Sequence, residues 1–356
     1  MTYSTPKLLE SLAAERGAER GLVLATIVET EGSTPQVVGS SAIFSSAGLV
    51  MGTVGGGLLE ARVGSIAGRA LVDRKTRLIS VRLDADPSDR EGAICGGAAR
   101  VLIDPGVGRD RTVFAKALEG IRKRRPGYMI TKIRLSPDEG DVVSTERVWL
   151  AVDEPWHLHV DGYASEALAF DDREAPGSPR LYKGENGLTF VEPVKPLPRL
   201  VIAGAGHVGK AVARLGKLLD FSVTVIDDRT EFANAENVPE ADEIIVGDIG
   251  ASVGTIAYSA DDYFVIVTRG HQKDAEALMA AIGRPAAYVG MIGSKRKIEL
   301  MRSESLASGL ATAEDWAKVH APIGLEIGSK TVEEIAVSIA AELVQVRSAR
   351  RGTARP

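Results

Sequence analysis

The stretch RLVIAGAGHVGKAVARLGKLLDFSVTVIDDR, residues 199 to 229, constrains the fold of this chain more than any other. An apolar run, Leu200 to Ala203, leads into Gly204-x-Gly206-x-x-Gly209, which opens a helical pattern. A second apolar run follows and ends in Asp227, 23 residues past Gly204. Strand, glycine turn, helix and acid-tipped strand is the context a dinucleotide fingerprint demands. The first glycine permits the tight turn. The second lets a pyrophosphate reach the helix N-terminus, where free N–H groups and the dipole favour anions. The third allows close helix–strand packing. An acid at Asp227 suits ribose hydroxyls and repels a 2′-phosphate, so NAD is preferred over NADP, although Arg229 nearby weakens that preference. The same pattern also serves a Rossmann-like turn whose pocket is unused.

Downstream, DEIIVGD (242–248), DYFVIVT (262–268) and AAYVGMI (286–292) are apolar runs of parallel-strand length, separated by helical stretches. Alternating strands and helices predict a doubly wound parallel sheet. A Thr331-x-x-Glu334 capping box opens a final helix with Ile335, Ile339, Leu343 and Val346 at helical spacing. Ligands of open α/β sheets sit outside the carboxyl ends of the strands. Arg269, His271 and Asp274 follow the fourth strand there, and Ser294, Lys295, Arg296 and Lys297 follow the fifth. His207 lies inside the glycine turn, as a helix-end or surface residue or in contact with a ligand phosphate. The lysines serve equally as a solvated helix start.

The N-terminal half reads as α+β. A helix is expected over 7–20, and strands over 21–30, 41–45, 48–54, 76–84 and 98–104. The second and third of these form a hairpin, and a helix runs from Leu58 to Arg74. Residues 105 to 190 carry weaker signals: a helix near Val113 to Lys123 and strands near Tyr128 to Leu135 and Arg147 to Val152. Three prolines in VEPVKPLPR suggest a linker. The domain reading is therefore an N-terminal α+β domain over 1–190 with an ill-defined middle, a linker over 191–198, a Rossmann-like domain over 199–347 and a disordered tail over 348–356.

Composition removes several function classes. A net charge of -5 gives no global pull toward nucleic acid or anionic membrane. The single cysteine, Cys95, excludes a disulfide within the chain and favours a reducing compartment. The N-terminus has no apolar leader-like run, so a cytoplasmic location is expected. The five histidines form no HExxH pattern and no paired CxxC occurs, so no zinc site is expected; His157 and His159 merely alternate in a strand-like segment. No GxSxG elbow supports a hydrolase triad.

Two blocks go beyond generic pattern. VETEGSTPQVVGSSAIFSSAGLVMGTVGGGLLEA with ICGGAARVLIDP resembles the N-terminal domain of the XdhC/CoxI family. The fingerprint, TRGHQKD, YVGMIGSKRK and HAPIGLEIGSKTVEEIAVSIAAELVQVR resemble that family's Rossmann domain, in the family's order. The resemblance implies a maturation factor that binds molybdenum cofactor (molybdopterin) as cargo. It supports sulfuration by a partner cysteine desulfurase and hands the cofactor to an apo molybdenum hydroxylase such as xanthine dehydrogenase. A homodimer would suit such a handover. Some members carry the name of the dehydrogenase itself, but one cysteine cannot hold the iron–sulfur clusters that enzyme needs.

On this reading Gly55, Gly56 and Gly57 allow ligand approach, and Glu60 either orients the ligand or caps its own helix. Cys95, with Gly96 and Gly97, is a thiol neighbour of metal or transferred sulfur, or a small buried residue. Many members have cysteine where this chain has Leu58. The other cofactor-binding candidates are Gly204, Gly206, His207, Gly209, Asp227, Arg269 and Lys295; Cys95, Glu60 and His271 are the candidates for chemistry. The alternative is an enzyme: an NAD(P)-binding oxidoreductase, or a nucleotide-dependent enzyme that modifies the cofactor.

Overall fold

The structure, a computed structural model, describes residues 6–14, 21–83, 96–137, 140–152, 177–184 and 187–353. The chain divides into two units at Pro196/Leu197. The first unit begins with α1 (Pro6–Ala14), β1 (Val23–Glu31), β2 (Ser41–Ser45), β3 (Gly48–Gly52), α2 (Gly57–Asp73), β4 (Arg77–Arg82) and β5 (Ala98–Asp104). The five strands form an antiparallel sheet in the order β3-β2-β1-β5-β4. Strand β1 is buried on both faces, which explains its stretch VLATIV, apolar except for the buried Thr26. Val23, Ala25 and Ile27 pack under Leu59, Val63 and Ala67 of α2. Leu24 on the opposite face packs with α1 and with α3 (Arg111–Arg122).

A second antiparallel sheet, made of β6 (Gly127–Leu135), β7 (Val142–Ala151), β8 (Arg180–Gly184) and β9 (Gly187–Val194), has the order β7-β6-β9-β8. Phe190 and Ile133 bring it against Val28 and Leu102 of the first sheet. Two boundaries differ from the sequence reading. The linker expected over 191–198 is a buried strand as far as Val194, because Val191 and Val194 fill the core and β9 pairs with β6 on one side and β8 on the other. The tail expected to be disordered from 348 is helical through Thr353.

The second unit contains β10 (Arg199–Ala203), α4 (His207–Leu218), β11 (Ser222–Asp227), β12 (Glu243–Val246), α5 (Ile249–Thr255), β13 (Asp262–Ile266), α6 (His271–Ala281), β14 (Tyr288–Met291), α7 (Lys295–Ala307), α8 (Ala313–Trp316), β15 (Val319–His320) and α9 (Val332–Thr353). Its strands are parallel, in the order β12-β11-β10-β13-β14-β15. Helices α4 and α9 cover one face through Val212, Ala213, Ile339 and Leu343. Helices α5 to α8 cover the other through Val253, Leu278, Met301 and Trp316. The capping box at α9 is formed: Glu334 N donates to Thr331 Oγ1 at 3.2 Å, and Thr331 N donates to Glu334 Oε2 at 2.9 Å. The direction of winding reverses between β10 and β13, so the crevice lies at their carboxyl ends.

Candidate functional site

In the first unit, three glycine-bearing segments far apart in sequence meet. A Cβ on Gly97 would lie 2.3 Å from the carbonyl of Ser33 and 2.6 Å from that of Glu31, so only glycine fits. A Cβ on Gly55 would lie 2.7 Å from Cγ of Pro35. The loop after β1 therefore touches both the segment before α2 and the segment before β5. The triple glycine has two roles. Gly55 is needed for the close approach of Pro35. Gly56 and Gly57 have φ of 67° and 51°, with no heavy atom within 4 Å of an added Cβ. They turn the chain into α2 and leave open space at its N-terminus, where amide N–H groups are unpaired by the helix. Gly96 is open as well.

Glu60 ties this turn together. Its Oε2 accepts from Thr53 Oγ1 at 2.7 Å and from Val54 N at 3.3 Å, while Gly55 N donates to Thr53 Oγ1 at 3.0 Å. One oxygen of Glu60 thus braces the turn ahead of the helix, while the N-cap Gly56 receives no side-chain hydrogen bond. Oε1 has no hydrogen bond among the described residues and faces no internal demand. Leu58 is half exposed beside it. Cys95, like His157 and His159, lies outside the described residues.

In the second unit the fingerprint glycines divide the same way. A Cβ on Gly204 would sit 2.5 Å from the carbonyl of Val267, and one on Gly209 1.8 Å from the carbonyl of Gly204. Gly206, the N-cap of α4, would meet nothing within 4 Å. Gly270, the N-cap of α6 on the neighbouring strand β13, is equally open at φ 95°. His207 and His271, the first residues of these helices, are both exposed. Arg269 is exposed and makes no ion pair among the described residues. Lys295, Arg296 and Lys297 occupy the first turn of α7, which has no acid of its own; Lys297 pairs with Asp274, and Lys295 lies 3.7 Å from Glu326. Cations at a helix N-terminus oppose the dipole, an arrangement that an anion would relieve.

Two predicted residues are buried and hydrogen-bonded within the protein. Asp227 is buried, and both oxygens are taken. Oδ2 accepts from Ala205 N at 2.7 Å and Arg229 Nη2 at 2.9 Å; Oδ1 accepts from Arg229 Nε at 2.8 Å and Arg229 N at 3.1 Å. Burial would raise its carboxyl, but the Arg229 hydrogen bonds and the two amides outweigh burial and hold it below the ordinary carboxylate range. The guanidinium in turn lies 3.9 Å from the centroid of Phe232. In this arrangement the lone pairs of Asp227 are spent on the glycine turn and Arg229. Asp274 is also buried. It takes the N–H and hydroxyl of Thr268, at 3.1 and 2.5 Å, and the ammonium of Lys297, so it ties the two strand-end loops together.

The sequence reading passed over three further groups. Asn237 donates from Nδ2 to the carbonyl of Ala205 at 3.2 Å and braces the glycine turn from the loop after β11. Glu342 of α9 accepts from the Tyr288 hydroxyl at 2.5 Å and from Gly324 N at 2.8 Å, and pairs with Nδ1 of His320 at 2.9 Å. The available signal was an acid set inside the apolar stripe of α9, between Ile339 and Val346. In the first unit, buried Asp104 binds Arg147 at 2.6 Å, and Arg147 also reaches Asp110 at 2.5 Å. Arg147 is distant in sequence from both acids, and the trio carries no local pattern.

Fold and site together define a two-domain α/β protein whose second domain is of Rossmann type. Residues 16–82 match the model of the XdhC and CoxI family, and residues 200–343 match that of the XdhC Rossmann domain. Together these stretches span more than half of the chain, which belongs to the XdhC and CoxI family. Similar proteins include YqeB of Escherichia coli strain K12, described as uncharacterized, at 27% identity over 91% of this chain and 43% of that protein. The chain thus spans less than half the length of that relative. A Bacillus subtilis strain 168 protein, described as a probable subunit of xanthine dehydrogenase, is 27% identical over 91% of this chain and 93% of its own length. A crystal structure from Bacillus halodurans, described as a xanthine dehydrogenase, superposes with a TM-score of 0.76 at 25% identity and covers 100% of this chain and 98% of that one.

Proposed function

We propose that this protein is a maturation factor for a molybdenum hydroxylase of the xanthine dehydrogenase type, one that holds molybdenum cofactor as cargo while a cysteine desulfurase sulfurates it and before the apoenzyme receives it. The loop after β1, packed through Ser33 against Gly97 and through Pro35 against Gly55 just ahead of α2, is the observation that carries the reading. Anionic cargo suits the unpaired amides of a helix start beside glycines that leave room for it. Glu60 Oε1 is the local acceptor for a pterin N–H, and Cys95, just before Gly96, is the candidate thiol near metal or sulfur. The dehydrogenase names of the relatives fit an association with that enzyme better than its catalysis, because one cysteine cannot ligate an iron–sulfur cluster.

The test is release and identification of what co-purifies, under anaerobic handling, from cells making the cofactor. Pterin fluorescence after oxidation is measured together with molybdenum. Stoichiometric pterin, lost in Gly56→Val or Cys95→Ala with unchanged folding, supports the reading; a folded wild-type protein without pterin overturns it.

A second reading, a nucleotide-dependent enzyme acting through the Rossmann crevice, is favoured by the openness of Gly206 and Gly270 beside two helix N-termini. NAD is the weaker candidate there, since Asp227 has no oxygen left for a ribose. Turnover of a nucleotide or oxidation of NADH by the purified protein would establish this reading.

A further inference from the structure

Strand β15 ends on His320, which pairs with Gly290 of β14 at the carboxyl edge of the parallel sheet, the side on which open α/β sheets place their ligands. Nδ1 of His320 lies 2.9 Å from Glu342 Oε1. The other oxygen, Oε2, accepts from the Tyr288 hydroxyl at 2.5 Å and from Gly324 N at 2.8 Å. Burial works against the charge on Glu342, but the His320 and Tyr288 hydrogen bonds and the Gly324 amide outweigh it and keep the carboxyl ionised. A carboxylate only accepts, so Nδ1 carries the proton, and Nε2 of the neutral ring carries the lone pair. Nε2 has no hydrogen-bond partner among the described residues and is not a buried atom, and the side chain is 34% exposed. One nitrogen is fixed from behind and the other is offered to solvent.

The surroundings are shaped for this pair. The rings of Tyr288 and His320 lie 4.4 Å apart, centroid to centroid. A Cβ on Gly290 would sit 2.5 Å from the Tyr288 hydroxyl, and one on Gly324 would sit 2.4 Å from Ser338 Oγ. Both glycines let the backbone close on the Tyr288–Glu342 contact. Burial and Glu342 push the Tyr288 hydroxyl far above its ordinary value, so it stays protonated and leaves proton movement to His320. Packing alone does not require an ionised carboxylate here, and its desolvation opposes folding. A carboxylate that orients an imidazole and stabilises the imidazolium is the arrangement of a general base. Charge at this edge selects the substrate. The adjacent strand β14 ends at Met291, and α7 begins at Lys295. Lys295 lies 3.7 Å from Glu326 of the loop after His320, which brings that loop to the first turn of α7. Both side chains are exposed, so solvent screens the pair. Arg296 is exposed and makes no ion pair among the described residues. A negatively charged molecule suits that turn.

We infer that His320 and Glu342 form a proton-transfer dyad at the carboxyl edge of the Rossmann sheet, with His320 Nε2 as the base for water or a hydroxyl that attacks an anionic ester beside α7. Nε2 takes the proton as the oxygen bonds to the ester's carbonyl or phosphoryl centre. The leaving oxygen departs with the electron pair of the broken bond and receives that proton from the imidazolium. Glu342 keeps its charge and its hold on Nδ1–H throughout, so it is a positioning residue. The inference rests on the second reading above in one respect, that chemistry takes place in this domain.

The experiment uses the full chain in a pH-stat with ethyl dichloroacetate, an ester on which imidazole acts as a base, and separately with the four common ribonucleoside triphosphates and magnesium. His320→Gln keeps a donor for Glu342 but has no base. It should fold as wild type by circular dichroism and lower the ester rate about tenfold. His320→Ala should lose the same activity and regain it with added imidazole, beyond the rate of imidazole alone. Glu342→Gln, assayed well below its melting temperature, should lower the rate and change the shape of the pH–rate profile. A wild-type ester rate no greater than that of His320→Gln overturns the inference. So does a His320→Ala protein that imidazole does not rescue, or a Glu342→Gln protein with the wild-type rate and profile. Triphosphate turnover lost in His320→Gln makes the anionic ester a nucleotide. No turnover of any triphosphate, with the ester results as expected, overturns the nucleotide reading alone, because the ester reaction decides the dyad.

Discussion

Gly206 and Gly209 sit three residues apart in one turn and answer to opposite constraints. A methyl group at Gly209 collides with the Gly204 carbonyl, whereas at Gly206 it meets open space with φ at −70°. Gly209→Ala should therefore cost about 2 kcal/mol or more in chemical denaturation, and Gly206→Ala should stay within about 0.5 kcal/mol. If Gly206→Ala also abolishes binding of whatever anion the crevice takes, its role is ligand approach. Glu192 makes a second case at this scale. It is buried on β9, and neither oxygen has a hydrogen bond among the described residues. Burial pushes its carboxyl well above the ordinary value, and Arg147 offsets this only in part. A raised carboxyl pKa costs stability once pH exceeds the unfolded value near 4.5, because the unfolded chain then ionises freely while the folded one resists. Glu192→Met should stabilise the protein at neutral pH by about 1–2 kcal/mol, and the gain should narrow below pH 4.5. Melting temperatures of both proteins across pH check this.

Helix α9 is held by more than its apolar stripe. Glu342 gathers the Tyr288 hydroxyl, the Gly324 amide and His320, and so fixes the segment between β15 and α9 against the sheet edge. Burial raises its carboxyl, but the His320 and Tyr288 hydrogen bonds and the Gly324 amide outweigh that and leave it below its ordinary value of 4.5. A depressed carboxyl contributes stability above the unfolded pKa and loses it as pH falls through the folded one. Glu342→Gln should cost about 2 kcal/mol near neutrality, and the gap to wild type should close as pH drops below 4.5. In the first unit, Arg147 joins β7 to Asp104 at the end of β5. Arg147→Met leaves a buried carboxylate without its partner and should cost about 3–5 kcal/mol, read from denaturant midpoints. Both networks link residues 18 or more positions apart through single side chains. Periodicity cannot display them; an acid in an apolar stripe is the nearest hint.

At the scale of the whole molecule, each unit has its own core: the α2 and α1/α3 layers in the first, and the two faces of the parallel sheet in the second. Residues 197–356 expressed alone should melt cooperatively by circular dichroism, since both faces of their sheet are covered from within the unit. A gradual, non-cooperative melt would contradict this. The same comparison explains what could be read in advance. The Rossmann strands, the α9 stripe with its capping box, the β2–β3 hairpin and the open glycines follow from local rules: period, turn chemistry and the missing Cβ. Those rules act over a few residues, so the linear chain displays them. It determined a parallel doubly wound domain after an α+β one, and the two glycine-rich turns. Only tertiary packing decided that VEPV completes a buried strand instead of a linker, that Pro35, Gly55 and Gly97 converge, and that Arg229 and the Ala205 amide consume the lone pairs of Asp227. Each of these depends on which distant backbone or charge lies within a few ångströms, and spacing along the chain does not encode that distance.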